Sequence, residues 1–289
     1  MARTAFVGLG VMGYPMAGHL KRHGHEVAVF NRTSAKAEAW VAEHGGRACR
    51  TPREAAEGAE FVFCMVGDDP DVRSVVHGAD GILVGLGKGC ILVDHTTASA
   101  DLARELAAAC AATGTHFIDG PVSGGEAGAV NGVLTIMCGG EEAAFARAEP
   151  VMRAYGRQVT LIGPAGSGQL TKMVNQICIA GLVQALAEAV NFAIRAGLDT
   201  DKVLATISKG AAQSWQMENR WKTMVQDKFD FGFAVDWMRK DLRITLEEAR
   251  RNGAALPITA VVDQLYRLVQ MKGGGRFDTS SLIKNLREG

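Results

Sequence analysis

The 289-residue chain has no excess charge of either sign, with 31 lysines and arginines against 31 aspartates and glutamates. No basic stripe or block of like charge breaks that balance, which argues against nucleic acid or an anionic membrane surface as a partner. Cysteine pairs are also missing. Six cysteines (Cys49, Cys64, Cys90, Cys110, Cys138 and Cys178) are scattered, with no C-x-x-C and no paired histidine spacing. Neither a disulfide framework nor a zinc site is expected, and no metal is called for. Most of these cysteines lie in apolar runs such as 61–66 and 135–138, the setting of small core residues in a reducing compartment. An uninterrupted membrane span is lacking too, because Asn175, Gln176, Gln184, Glu188 and Asn191 punctuate the apolar stretch around 177–183. The apolar N-terminus is broken by three glycines and Pro15, which argues against a signal peptide. With no internal repeat or low-complexity tract, the expectation is a soluble, cytoplasmic protein of one or two domains.

What is present is organised around residues 3–34 (RTAFVGLGVMGYPMAGHLKRHGHEVAVFNRTS). The pattern predicts a strand over 4–7, a glycine turn, a helix over 12–23 and a second strand over 26–30. Gly8, Gly10 and Gly13 fall in G-x-G-x-x-G spacing, directly after the strand and opening a helix that carries Met12, Met16, Ala17 and Leu20. In that setting the first glycine permits a tight turn, the second lets backbone approach a pyrophosphate, and the third lets the helix pack on the sheet. Gly8, Leu9, Gly10, Val11, Met12 and Gly13 are therefore the expected cofactor loop, its N–H groups facing phosphate. A glycine turn without a ligand is the competing reading.

The end of the second strand selects the dinucleotide. A carboxylate there would bond the ribose hydroxyls of NAD. Asn31, Arg32, Thr33 and Ser34 stand there instead, and a guanidinium beside hydroxyls suits a 2′-phosphate. NADP is expected, with NAD as the alternative and a solvated Arg32 as the rival explanation.

Beyond residue 34 the patterns alternate. Helices are expected over 34–43 and 52–57, a doubly buried strand over 61–66, and a helix capped by Asp68, Asp69 and Pro70. Next come a strand over 90–94, an alanine-rich helix over 99–113, and strands over 116–119, 132–138 and 158–162. Strands separated by helices with short connections predict an α/β fold with a Rossmann-type, doubly wound parallel sheet. After Gly163 only helical patterns remain, so the expected division is a dinucleotide-binding domain over 1–163 and an all-helical C-terminal domain over 164–289. The first helix of that second part, ending near Ala196, is apolar on almost every side. Such a helix is expected to be buried all round, between domains or in a subunit interface.

Ligands of doubly wound sheets lie beyond the carboxyl ends of the strands. Segments expected there are Met65 and Val66 onward to Asp68, DHTT from Asp94, DGPVSGG from Asp119, and GSGQLTKMVNQ from Gly166. Lys172 lies one turn into an apolar helix, with Asn175 and Gln176 on the same face. A lysine ammonium can protonate the alkoxide left by hydride transfer to a carbonyl. On spacing alone, a lysine snorkelling to solvent fits as well. Ser123, Gly124 and Gly125 offer a hydroxyl and unhindered N–H groups to a carboxylate, or form a plain turn. Thr96 and Thr97 suit nicotinamide or substrate, or a helix cap. Lys240 reads as a solvated residue on an amphipathic helix.

Taken in order, GLGVMGYPMAGHL from Gly8, DGPVSGG, GSGQLTKMVNQ and the Lys240, Asp241 pair resemble the β-hydroxyacid dehydrogenase family along essentially the whole chain. That family includes 3-hydroxyisobutyrate dehydrogenase, tartronate semialdehyde reductase and the glyoxylate/succinic semialdehyde reductases. The resemblance implies an NAD(P)-dependent enzyme interconverting a small carboxylate-bearing aldehyde or ketone with its hydroxyacid. It implies Lys172 as general acid/base, Ser123 with Gly124 and Gly125 on the substrate carboxylate, and Lys240 near substrate and cofactor. It also implies a helical domain that builds homodimers or homotetramers. The family usually carries Asn four residues after the lysine as a hydrogen-bond partner of the substrate. This chain has Gln176 there, which the resemblance assigns to that substrate-binding role, with Asn175 beside it, an arrangement similar to tartronate semialdehyde reductases. The Asn31-Arg32-Thr33 end resembles the glyoxylate/succinic semialdehyde branch, so the acceptor stays open. Two rivals remain: an imine reductase, whose relatives commonly lack lysine at the position of Lys172, and a non-catalytic dinucleotide-binding scaffold.

Overall fold

The computed structural model describes residues 1–287. The chain forms two compact units, Met1–Lys172 and a second that begins at Met173. The expected border at residue 163 is the end of the last strand; the units divide a little further on, inside the following helix.

The first unit runs β1 (Arg3–Val7), α1 (Gly13–Arg22), β2 (Glu26–Phe30), α2 (Ser34–His44), β3 (Arg47–Ala48), α3 (Pro52–Ala56), β4 (Phe61–Cys64), α4 (Asp69–Val76) and α5 (Ile82–Gly85). It continues through β5 (Ile91–Asp94), α6 (Ala100–Thr113), β6 (His116–Asp119), β7 (Val122–Ser123), α7 (Gly125–Asn131), β8 (Leu134–Gly140), α8 (Glu142–Met152) and β9 (Gly156–Gly163). The strands lie in the order β3-β2-β1-β4-β5-β6-β8-β7, with β9 beside β8. Side chains alternate between two cores. Phe6, Val29, Phe63 and Val93 pack under α1, α2 and α8, whereas Val7, Val62, Cys64 and Leu92 pack under α3, α4 and α6. Burial on both faces explains why these strands read as continuous apolar runs.

The register places the functional edge. Phe30 pairs with Val7, Val7 with Cys64, Cys64 with Asp94, and Asp94 with Asp119, all in parallel. Five strands thus end in one row, and the loops after them leave from the same edge. Local sequence sets the helix starts: Ser99 caps α6 by accepting from Leu102 N–H, and Asp68 with Asp71 forms a capping box on α4.

The expected doubly wound sheet is dominated by parallel pairs, with one strand as the exception. β8 runs antiparallel to both β6 and β7. After Asp119 the chain turns back through a two-residue strand and the short α7, instead of crossing over by a full helix, so β8 returns in the opposite direction. Parallel pairing resumes between β8 and β9. The two-residue strands β3 and β7 had no period to read.

The second unit holds α10 (Thr200–Ile207), α11 (Trp215–Val225), α12 (Val235–Asn252), α13 (Pro257–Met271) and α14 (Lys284–Arg287), and most of α9 (Ser167–Arg195). Ala180, Val183, Ala187 and Val190 form a stripe at helical spacing that joins Trp221, Met238, Leu242 and Tyr266 in the core. By length and composition α9 qualifies as a membrane span despite its polar interruptions, but this stripe makes it a core helix of the unit. Within one chain, the expectation that α9 is buried all round holds for one face only. Val174 is 60% exposed and Phe192 71% exposed, so one face of the helix packs and another is uncovered.

Candidate active site

The three glycines separate by what a side chain would meet. A Cβ at Gly8, where φ is +100°, would lie 2.1 Å from the Met65 carbonyl oxygen. At Gly13 it would lie 2.0 Å from the Gly8 carbonyl and 2.9 Å from Phe6, so both positions are fixed by the protein's own packing. Gly10 differs: a Cβ there meets no atom within 4 Å, and its φ is not positive. Nothing among the described residues demands glycine at 10. Open space against that main chain is what a pyrophosphate would need. At the start of α1 the Tyr14 N–H donates to the Gly10 carbonyl at 3.0 Å, the Met16 N–H donates to the Met12 carbonyl at 3.3 Å and Pro15 has no N–H, so N–H groups for an anion would have to come from the loop before Tyr14. The pair of variants Gly10→Ala and Gly13→Ala tests this. Gly10→Ala should melt within about 2 °C of wild type but lose cofactor affinity by roughly tenfold or more, whereas Gly13→Ala should lose several degrees. Differential scanning fluorimetry and a cofactor titration separate them.

Asn31 and Leu9, both expected at the cofactor, are joined to each other. The Leu9 N–H donates to Asn31 Oδ1 at 2.9 Å, and Asn31 Nδ2 donates to the Thr33 carbonyl at 3.1 Å. Asn31 thereby clasps the glycine loop to the end of β2, and the Leu9 side chain is buried. Arg32 is 92% exposed, 3.7 Å from Asp71. At the end of β4, the Val66 N–H donates to Thr96 Oγ1 at 3.0 Å, while Met65 lies against Gly8. The Thr96 hydroxyl therefore braces the loop after β4, and the cap of α6 is Ser99. Thr97 is half-buried beside it.

Ser123 ends β7, paired with Thr135 of β8. Gly124 and Gly125 have φ of +132° and +60° and open α7, so this segment is a strand end and helix start rather than a free turn.

Lys172 is buried, 7% exposed, and its helix is fastened at the start. Asp119, at the end of β6, accepts from the N–H groups of Gly166 at 2.8 Å and Gln169 at 2.9 Å. The Gln169 side chain donates to the Thr96 carbonyl at 2.7 Å and accepts from Ala98 N–H at 3.0 Å. The first turn of α9 is thus tied to the loops after β5 and β6, with Lys172 three residues beyond Gln169 on the same face. A snorkelling lysine is ruled out by this burial. Asp119 and Gln169 had no sequence signal as anchors, because their partners lie far along the chain.

Two buried carboxyls and a buried imidazole near this edge are shifted by burial. Desolvation pushes the Asp94 carboxyl up to about 7, against the bonds it accepts from Thr96, and the Asp119 carboxyl up to about 6, against its backbone bonds. Desolvation lowers His95 to about 4, so its ring is neutral.

In the second unit, Gln176 Nε2 donates to Asp241 Oδ2 at 2.6 Å, and Asn175 Nδ2 donates to Gln176 Oε1 at 2.8 Å. Lys240 Nζ lies 2.9 Å from Asp241 Oδ1 and its side chain is 12% exposed. The solvated Lys240 suggested by its helix pattern is therefore a buried ion pair. All six cysteines are free, and among the described residues no group of three or more His, Cys, Asp or Glu is placed to hold a metal.

A glycine loop after β1, at the switch between β1 and β4, with a buried lysine on the helix leaving the sheet, defines an NAD(P)-binding oxidoreductase. Comparison with known proteins agrees. Residues 3–163 match the NAD-binding domain of 6-phosphogluconate dehydrogenase, and residues 166–286 match the NAD-binding region of NADP-dependent 3-hydroxyisobutyrate dehydrogenase. The chain belongs to this hydroxyacid dehydrogenase family. It is 61% identical over 288 residues to an uncharacterized oxidoreductase of Shewanella frigidimarina, covering 100% of this chain and 99% of that one. It is 35% identical to the 2-hydroxy-3-oxopropionate reductase of Escherichia coli, covering 98% of this chain and 97% of that one. Among solved structures, the 3-hydroxyisobutyrate dehydrogenase of Mycobacterium tuberculosis with L-serine superposes with a TM-score of 0.89 at 30% identity, covering 99% of each chain.

Proposed function

We propose that this enzyme is an NADP-preferring reductase/dehydrogenase that interconverts a small carboxylate-bearing aldehyde or ketone with its hydroxyacid. The observation that carries the reading is Lys172, a buried amine on a helix start held by Asp119 and Gln169 to the edge where the strands end. Lysine at this position also weighs against the imine reductase and scaffold readings. When bound, the dinucleotide supplies or accepts the hydride. The Lys172 ammonium gives a proton to the oxygen that becomes the hydroxyl, and the neutral amine takes it back in the oxidative direction. Ser123 and the Gly124 and Gly125 amides receive the carboxylate, and burial at Lys172 strengthens each polar contact by excluding water. The E. coli relative, named as a 2-hydroxy-3-oxopropionate reductase, supports a three-carbon oxoacid as substrate.

NADP preference rests on the end of β2, where Arg32 replaces a carboxylate and extends into solvent. The test is a steady-state screen of glyoxylate, succinic semialdehyde, tartronate semialdehyde and 3-hydroxyisobutyrate with both cofactors, repeated on Arg32→Gln. Wild type should favour NADP(H), and the variant should lose about tenfold or more in kcat/KM with NADPH while holding its rate with NADH. Equal rates of wild type with both cofactors would overturn the preference; no turnover across the panel would overturn the function. The same reading gives the uncovered apolar residues of α9, Val174 and Phe192 among them, to a second copy of the chain in a cytoplasmic homo-oligomer. A sedimentation mass equal to the 30.6 kDa monomer would remove that part.

A further inference from the structure

We propose that His95 is a positioning residue for the substrate: its bond to the Gly120 carbonyl sets the loop that carries Ser123. This rests on the reading of Ser123, Gly124 and Gly125 as the carboxylate site.

His95 is fully buried and comes directly after β5. Its Nδ1 lies 2.5 Å from the Gly120 carbonyl oxygen and its Nε2 lies 2.8 Å from the Tyr155 hydroxyl. A carbonyl only accepts, so Nδ1 carries the proton and donates. Nε2 is then the acceptor for the Tyr155 O–H. The ring is parallel to Phe63, 3° between planes with centroids 5.8 Å apart, and meets Tyr155 edge-on at 5.5 Å. Two aromatic neighbours and two hydrogen bonds leave the imidazole one orientation.

Both polar groups of Gly120 are held by neighbouring residues of β5 and its loop. Its N–H donates to the Asp94 carbonyl at 2.7 Å, and its carbonyl receives His95. A Cβ at Gly120 would come within 3.3 Å of Nδ1, so the glycine allows the ring to approach. Pro121 then accepts from Met137 N–H at 3.1 Å, and Val122 and Ser123 pair with β8. Ser123 is thereby located from two sides: β8 flanks it, and His95 fixes the base of its loop.

Packing alone does not ask for histidine here. An aromatic hydrocarbon would stack on Phe63 equally well, but it would leave the buried Tyr155 hydroxyl without its acceptor and the Gly120 carbonyl without its donor. What the imidazole adds is a directed donor aimed at the one carbonyl from which the substrate loop starts. A misplacement of about 1 Å in such a loop costs on the order of 10²-fold in rate.

The experiment compares full-length His95→Phe, His95→Asn, His95→Gln and Ser123→Ala, using NADPH and whichever acid of the four-compound screen wild type turns over best. His95→Phe keeps the stacking and removes both bonds. Asn places an amide donor near Nδ1, whereas Gln reaches only toward the Nε2 position. KM for the acid should rise roughly 10- to 100-fold in His95→Phe, with NADPH affinity unchanged within about threefold. Asn should restore most of KM and Gln should not. A His95→Phe enzyme with wild-type KM, or recovery by Gln as good as by Asn, overturns the inference. Should the Phe variant not fold, the Asn and Gln pair decides alone, since their polarity is equal. Ser123→Ala separates the two levels. An unchanged KM there overturns the carboxylate assignment and this inference with it; a raised KM there with an unchanged His95→Phe overturns only the role of His95.

Discussion

Replacing Lys172 with Met lowers kcat by about 10²- to 10⁴-fold, the usual contribution of a positioned general acid, equivalent to roughly 3–5 kcal/mol of barrier. Methionine keeps the unbranched apolar stem that lies in the buried part of α9 and removes only the ammonium. The glycine loop and the end of β2 are untouched, so cofactor affinity should stay within about threefold, and a fall in kcat with little change in cofactor binding marks loss of a transition-state interaction. Stopped-flow or steady-state turnover gives the first quantity and calorimetric titration of NADPH the second. Turnover within about tenfold of wild type would mean that another group supplies the proton. A parallel loss of cofactor binding would mean that Lys172 shapes the nucleotide site instead.

Asp119→Ala has the largest expected effect on stability. Its carboxylate accepts from two main-chain N–H groups at the start of α9, and both are left without it in a buried place. Each unsatisfied donor costs about 1–3 kcal/mol, so a loss of roughly 2–5 kcal/mol is expected by urea unfolding. The rate should fall as well, because Lys172 lies one turn beyond the released anchor. The pH dependence has a definite sign. Burial holds Asp119 at about 6 in the folded protein against 3.8 for the ordinary carboxyl. Between those values the folded state binds more protons than the unfolded one, so this group's contribution to stability falls as pH rises from about 4 to about 6. The Ala variant lacks that component, and its stability curve should fall less steeply than wild type across the window. An unfolding free energy within about 1 kcal/mol of wild type would show that α9 is held by other means.

Recognition of the cofactor edge was possible from residues 3–34 because each signal there is local. An apolar run, a glycine turn and a helix pattern occupy consecutive positions, and their backbone consequences are nearly independent of the rest of the chain. The same holds for the capped starts of α4 and α6. Lys172 and Ser123 could be singled out by type and place, but their surroundings could not. Asp119 reaches Gly166 and Gln169, His95 reaches Tyr155, and Gln176 reaches Asp241, each across 47 to 65 residues. Nothing in a short window says that such residues meet.

The order of residues was enough to set the alternation of strands and helices, the glycine geometry, and the change to helices after Gly163. These depend on periodicity and on steric rules that act over a few residues. It took the folded chain to establish that β8 returns antiparallel, that Lys172 is buried while one face of α9 is uncovered, and that Lys240 is paired with Asp241. Burial and pairing are properties of what lies across the fold. A side chain's environment is set by partners distant in the chain, so composition and spacing name the group but not what it faces.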